Sequence, residues 1–362
     1  MPDALPIMRP KLPTARSVLP YLSSIDSARI YSNFGPLAMQ LENRLAAHFG
    51  VVDYEITTVA NATLGLTLAL AAQRVRPGTL CVIPAWTFVA SPQAAILAGL
   101  VPYFVDVDPE TWALEAHAID AVIARAPGEV GAVMPVAPFG RPIDVEGWDR
   151  FRSRSGLAVV IDAAAGFDAV RPAGAPAVVS LHATKVLGTG EGGFILCNNA
   201  DLILDIRARM NFGFHGSREA RVAAFNAKLS EYHAAVGHAA LDEWQDARAE
   251  WLAVAARYRA ALADSSVARL QEGFGDSWVS SVCVLHLRRT DADRLEQHMS
   301  GLAIETRRWW GHGAHAHFSM APCPRAPLPV SEELSRSTLA IPMFRDLKTV
   351  DIDRVIAAVE TV

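Results

Sequence analysis

The sequence predicts an α/β fold: a large domain built on a mostly parallel sheet covered by helices on both faces, plus a smaller C-terminal α+β domain. Three observations predict it. Short apolar runs alternate with segments of helical period between residues 55 and 200. Strands that are apolar throughout, rather than at every second position, belong to sheets buried on both faces. After residue 200 the alternation stops and Ala-rich helical sequence takes over. The chain has 362 residues, 51% of them hydrophobic, which is enough for about two domains. The division is placed near residue 240, giving a large domain over 1–240 and a small one over 241–362.

Taken in order, strands are expected at 79–83, 101–106, 130–136, 158–162, 178–182 and 193–198. Helices are expected at 63–74, 89–98, 116–126 and 145–155. Residues 77–105 contain no charge and match a membrane span in length. Pro84, Pro92 and Pro102 lie inside that stretch and would break one helix repeatedly, so it reads as strand, helix and strand. Helical sequence follows at 200–210 and 229–263, then a strand at 278–287, a helix at 291–299 and a last helix at 350–361.

Lys plus Arg number 33 and Asp plus Glu 38, a net charge of −5. That balance argues against a nucleic-acid partner. The four cysteines are widely spread with no CxxC pair, so neither a zinc ribbon nor a disulfide scaffold is expected. Reduced thiols point to the cytoplasm. Residues 1–16 mix prolines, charges and short apolar pieces, which is not a signal peptide.

The chemistry concentrates in Ser180-Leu-His-Ala-Thr-Lys185-Val-Leu-Gly-Thr-Gly190-Glu-Gly-Gly193. A lysine before a glycine-rich turn between two apolar strands has two readings. Its head lies in water at a strand end, or burial disfavours its ammonium form and leaves the neutral amine that Schiff-base chemistry needs. Gly188-x-Gly190-x-x-Gly193 formally matches a dinucleotide fingerprint, but Phe194 to Cys197 reads as strand and no helix follows to receive a pyrophosphate. Asp162 ends an apolar run; it either caps backbone amides or meets a cation such as a protonated pyridine nitrogen. Asn61-Ala62-Thr63 opens an Ala/Leu-rich helix, as an ordinary cap or as a phosphate site. Phe88 follows a strand, as core or as a plate for a ring.

Together, in that chain order, these residues resemble the DegT/DnrJ/StrS family of sugar aminotransferases, a branch of the fold type I pyridoxal-phosphate enzymes. The resemblance runs over nearly the whole chain, from Ser32-Asn33-Phe34-Gly35-Pro36 through Pro84–Ser91, Asp162-Ala-Ala and Gly190-Glu-Gly-Gly193 to Phe225-Asn226-Ala-Lys228 and 337–342. It implies pyridoxal 5'-phosphate as cofactor, bound by Lys185 as a Schiff base, with Asp162 on the pyridine nitrogen. Ala164 and Phe88 would sandwich the ring, and Ala62, Thr63, Ser180 and Asn226 would bind the phosphate. The Asn226 equivalent comes from the neighbouring subunit in the family, which implies a homodimer with composite sites.

Four residues depart from the family pattern. Ala165 stands where Gln or His usually contacts the ring oxygen, Ala137 where His is frequent, Ala62 where Gly is frequent and Lys228 where Arg is common. A second region, Arg307-Arg308-Trp309-Trp310-Gly-His312-Gly-Ala-His315-Ala-His317, carries an HxxHxH spacing. No nearby carboxylate completes a zinc set, so no metal is expected. By resemblance Trp309, Trp310 and His315 contact a sugar nucleotide, against the simpler reading that the tryptophans pack. The function implied is transfer of an amino group, from L-glutamate by family habit, to a keto sugar nucleotide such as dTDP-4-keto-6-deoxyglucose. Two alternatives compete: the family's sugar dehydratases, in which histidine replaces the lysine, and a regulatory cofactor-binding protein without turnover.

Overall fold

The computed structural model describes residues 4–362. Two helices, α1 (Ala15–Ala28) and α2 (Pro36–Phe49), precede the sheet. The strands β1 (Ile56–Val59), β2 (Leu80–Pro84), β3 (Val101–Val105), β4 (Val130–Val133) and β5 (Ala158–Val159) alternate with α3 (Ala62–Ala72), α4 (Ala90–Leu97), α5 (Ile119–Ile123) and α6 (Val145–Ser155), and β6 (Ile161–Asp162), β7 (Ala177–Ser180) and β8 (Gly193–Leu196) follow with no helix between them. They form two four-stranded arrays, β3-β2-β4-β5 and β6-β7-β8-β1. β5 and β6 lie on one stretch of chain interrupted at Val160, so this single run links the arrays. Pairings β2–β3, β2–β4, β4–β5 and β6–β7 are parallel, while β7–β8 and β8–β1 are antiparallel. The sheet is mostly parallel, as expected.

Successive residues of these strands belong to separate apolar cores. Val82, Val133, Val159, Val179 and Phe194 pack with residues of α2, α6, α8 (Glu231–Asp242) and α9 (Trp244–Ala261). Their neighbours Cys81, Ile83, Ala132, Val160, Val178 and Ile195 pack with α3, α4 and α7 (Ala200–Arg209). Alternation of side chains across the pleat therefore puts helices on both faces.

The later elements are α8, α9, β9 (Ala268–Arg269), β10 (Cys283–Leu287), α10 (Ala292–Gly301), α11 (Pro329–Ser337), β11 (Thr338–Ile341) and α12 (Thr349–Glu360). β11-β10-β9 is a second, antiparallel sheet. Two expectations change here. The helical stretch 229–263 is two helices that break at Glu243 (ψ 1°), where Trp244 turns into the core against Phe167. The strand expected at 278–287 begins only at Cys283. Gly273 and Gly275 have φ of 76° and 71°, and the amides of Ser277 and Trp278 turn back onto Gly273 O.

Candidate active site

β6 ends on Asp162, and the sheet clamps that residue from both sides. Its amide donates to Pro135 O and its carbonyl accepts from Ala137, both at 2.9 Å. On the other side the Ala163 amide reaches Val178 O at 3.0 Å. The carboxylate is 5% exposed. It accepts from Ser91 Oγ at 2.7 Å and from the Ala164 amide at 3.1 Å. Burial pushes its pKa up; those two donors and the charge of Lys185 pull the other way.

Lys185 follows β7 on a loop closed by main-chain hydrogen bonds: Leu181 N to Gly192 O, Ala183 N to Gly190 O and Lys185 N to His182 O, at 2.8–2.9 Å. Gly190 takes φ 95°, which a side chain disfavours, to close that loop. Lys185 is half-buried, and burial lowers its pKa while the attraction of Asp162 raises it. The structure therefore brings a depressed amine and a buried acid within electrostatic reach at one end of the sheet. β8 follows the glycine turn directly, so no helix stands there for a dinucleotide.

A third side of the site is the start of α3. Asn61 caps it by accepting from the Leu64 amide at 3.0 Å. The amides of Ala62 and Thr63 have no partner within a helix's first turn. Gly193 pairs with Ser180 across the strands. A Cβ on Gly193 would lie 2.8 Å from Val179 O and 3.1 Å from the Ala62 nitrogen, so glycine lets the strand and the start of α3 come this close. Ala62 and Ser180 thus meet at one spot. The Ala60 amide donates to Ala227 O at 2.7 Å, which runs the Asn226 segment alongside. The Asn226 side chain is exposed and accepts from Lys228 Nζ at 2.7 Å.

Ala164 adjoins Asp162 and accepts from the Ser180 amide at 3.2 Å. Phe88, expected as a plate, is 55% exposed just beyond β2, so its ring is not part of the core. Ser91 is the residue that sequence reasoning passed over. It lies one turn after Phe88, and its signal was a pair of hydroxyls, Thr87 and Ser91, in the charge-free stretch.

Trp309 and Trp310 pack in an apolar cluster with Trp86, Trp112 and Phe139, and His315 lies against a different group around Phe104. Trp310 stacks on Phe139 with ring centroids 3.9 Å apart and meets Trp86 edge-on at 5.4 Å. Trp309 lies under the Arg307 guanidinium. His315 is buried against the edge of Phe104, and the segment is tied to β2's exit by Ala314 N donating to Ala85 O at 2.8 Å. Packing explains most of this, but the Trp86 and Trp309 Nε1 atoms are buried without a partner among the described residues. Among the described residues no group of three or more His, Cys, Asp or Glu could hold a metal ion, and no helix is long and apolar enough to cross a membrane.

These residues fit pyridoxal phosphate. Among the described residues a buried carboxylate lacks an ion pair, burial lowers the pKa of a nearby lysine, and a helix start with unpaired amides meets a serine. Comparison with known proteins agrees. The DegT/DnrJ/EryC1/StrS aminotransferase family matches residues 16–360. A dTDP-4-amino-4,6-dideoxy-D-glucose transaminase of Shigella dysenteriae is 33% identical over 237 residues, covering 64% of this chain and 63% of that one. A Bacillus cereus protein assigned as a PLP-dependent aminotransferase superposes with a TM-score of 0.92 at 27% identity, covering 99% of this chain and all of that one. DesI, solved in the presence of its TDP-sugar product, gives a TM-score of 0.88 at 29% identity, covering 100% and 93%. The chain belongs to the DegT/DnrJ/EryC1/StrS aminotransferase family, and it is an aminotransferase that uses pyridoxal phosphate.

Proposed function

We propose that the chain moves an amino group from L-glutamate to a keto sugar nucleotide, with dTDP-4-keto-6-deoxyglucose as acceptor and the 4-amino sugar as product. The pairing of Lys185 with Asp162 at one end of the sheet carries the reaction. The similar Shigella protein, named a dTDP-4-amino-4,6-dideoxy-D-glucose transaminase, and DesI, solved with its TDP-sugar product, support the substrate. Bound pyridoxal phosphate supplies an electron sink for the charge left when a proton leaves the donor's α-carbon.

Lys185 Nζ is the amine that holds the cofactor and, once freed, takes up and returns that proton. Its lowered pKa suits it to the task, because a neutral amine is a base. Asp162 supplies the negative charge for the ring nitrogen. Phe88 and Ala164 flank the ring, and Ala62, Thr63, Ser180 and Asn226 take the phosphate. Trp309, Trp310 and His315 are assigned as the contacts of the sugar nucleotide, a reading supported by a Trp309 Nε1 without a partner among the described residues. Residues 1–240 hold the cofactor, and 241–362 carry these substrate contacts. The exposed Asn226, with Phe212, Tyr31 and Tyr232 exposed on the same molecule, supports a homodimer in which Asn226 serves the neighbouring site. Four unpaired cysteines suit the cytoplasm.

Mass spectrometry of products from a panel of dTDP-, UDP- and GDP-linked keto sugars with glutamate tests this. The expected result is one amino sugar, on the dTDP 4-keto substrate. A glutamate half-reaction without any sugar product overturns the substrate. No half-reaction at all favours the regulatory reading. Borohydride reduction should fix the cofactor to the peptide containing Lys185, and a label elsewhere removes that assignment.

A further inference from the structure

Thr87 and Ser91 lie one helical turn apart where the chain leaves β2 and enters α4. They are 1% and 0% exposed. Their hydroxyls are 2.8 Å apart, and Ser91 Oγ is 2.7 Å from Asp162 Oδ2. A serine has one proton to donate, and a carboxylate only accepts. Ser91 gives its proton to Asp162, so the Thr87 hydroxyl must be the donor to Ser91. The competing acceptor, Phe88 O, is farther away at 3.3 Å.

We propose that Thr87 and Ser91 are positioning residues: a one-way hydroxyl chain that fixes the Asp162 carboxylate as the charged acceptor for the cofactor's ring nitrogen. The proposal rests on the reading of Asp162 given above and extends it to two residues buried behind it. Aligned hydroxyls polarise one another and strengthen the last bond. The environment gives that bond work to do. Burial disfavours the charge on Asp162, and Ser91 is foremost among the groups that oppose burial, ahead of the Ala164 amide and Lys185. The same turn carries Phe88, whose carbonyl accepts from the Ser91 amide at 3.2 Å. One short segment therefore sets both the aromatic plate and the charge of the acid.

The test is the ring-nitrogen resonance of bound 15N-labelled pyridoxal phosphate, followed against pH. Asp162→Asn should move it furthest toward neutral pyridine. Ser91→Ala should move it part of the way, Thr87→Val less in the same direction, and Thr87→Ser should restore it. The glutamate half-reaction should slow by about tenfold to a hundredfold in Ser91→Ala and about threefold in Thr87→Val, with cofactor affinity falling much less. A shift in Asp162→Asn with none in Ser91→Ala or Thr87→Val overturns the hydroxyl chain and leaves Asp162 in place. No shift in Asp162→Asn overturns the reading of Asp162 itself. If Ser91→Ala does not fold, Thr87→Val, which keeps the side-chain shape, decides alone.

Discussion

Asp162, at the end of β6, and Glu42, on α2, are both buried acids, 5% and 1% exposed. Burial pushes both pKa values up. Their surroundings differ. Glu42 Oε1 accepts from Thr57 Oγ1, the Thr58 amide and Thr58 Oγ1 at 2.7–3.0 Å, and Oε2 pairs with the Arg207 guanidinium. Asp162 has two donors, and Lys185 attracts it without an ion pair among the described residues. A fully paired acid ties α2, β1 and α7 together. A partly paired acid at a strand end keeps capacity for a ligand. Burial alone does not separate the two acids; what distinguishes them is that Glu42 has a full ion pair and Asp162 has none among the described residues.

Removing each charge should give opposite signatures. The largest effect is expected for Asp162→Asn: the glutamate half-reaction in stopped flow should slow by about 10²–10⁴-fold, with the thermal midpoint nearly unchanged. An unchanged rate would make Asp162 a structural acid like Glu42. Glu42→Ala should do the reverse. Breaking a buried pair costs about 3 kcal/mol when the stranded partner keeps some contact with water, and the Arg207 side chain is 23% exposed. Denaturant unfolding should show that loss while turnover per folded molecule stays near wild type. A fall in turnover without a fall in stability would erase the contrast.

The same contrast explains what could be read in the sequence. Asp162 and Lys185 stood out because charges are conspicuous at the ends of apolar strands, and the strand pattern placed both at the sheet's rim. Partners supplied from far along the chain leave no local trace. Ser91 reaches Asp162 across 71 positions, and Glu231 reaches back across 194 to cap α2 through the Leu37 amide. The helices α1 and α2 and strand β1 escaped notice, since their apolar positions are set by contacts with α8 and β8. The Trp309–His315 segment reads equally well as packing or as a binding loop because aromatic rings serve both uses. Trp310 stacks on Phe139, a contact that a packing ring and a binding ring both make.

The smallest expected effect concerns Lys185 in the cofactor-free protein. Burial disfavours its ammonium, so its pKa when folded lies below that of the unfolded chain. Between those two values the unfolded chain binds more protons, and stability rises with pH through that window. Below the folded pKa the cost is present in full; above the ordinary lysine value, about 10.4, it is gone. Met has a similar length and no charge. Lys185→Met, which is inactive by construction, should therefore melt above the wild-type apoprotein at pH 7, and the two melting curves should converge as pH approaches that lysine value. Glu42 offers no such gain, because its removal strands Arg207, whereas Asp162 keeps Ser91 Oγ and the Ala164 amide when Lys185 is replaced. If Lys185→Met melts below wild type at every pH, the lysine is a comfortable structural residue. The division between a satisfied acid that holds the fold and a strained pair kept for chemistry would then not describe this site.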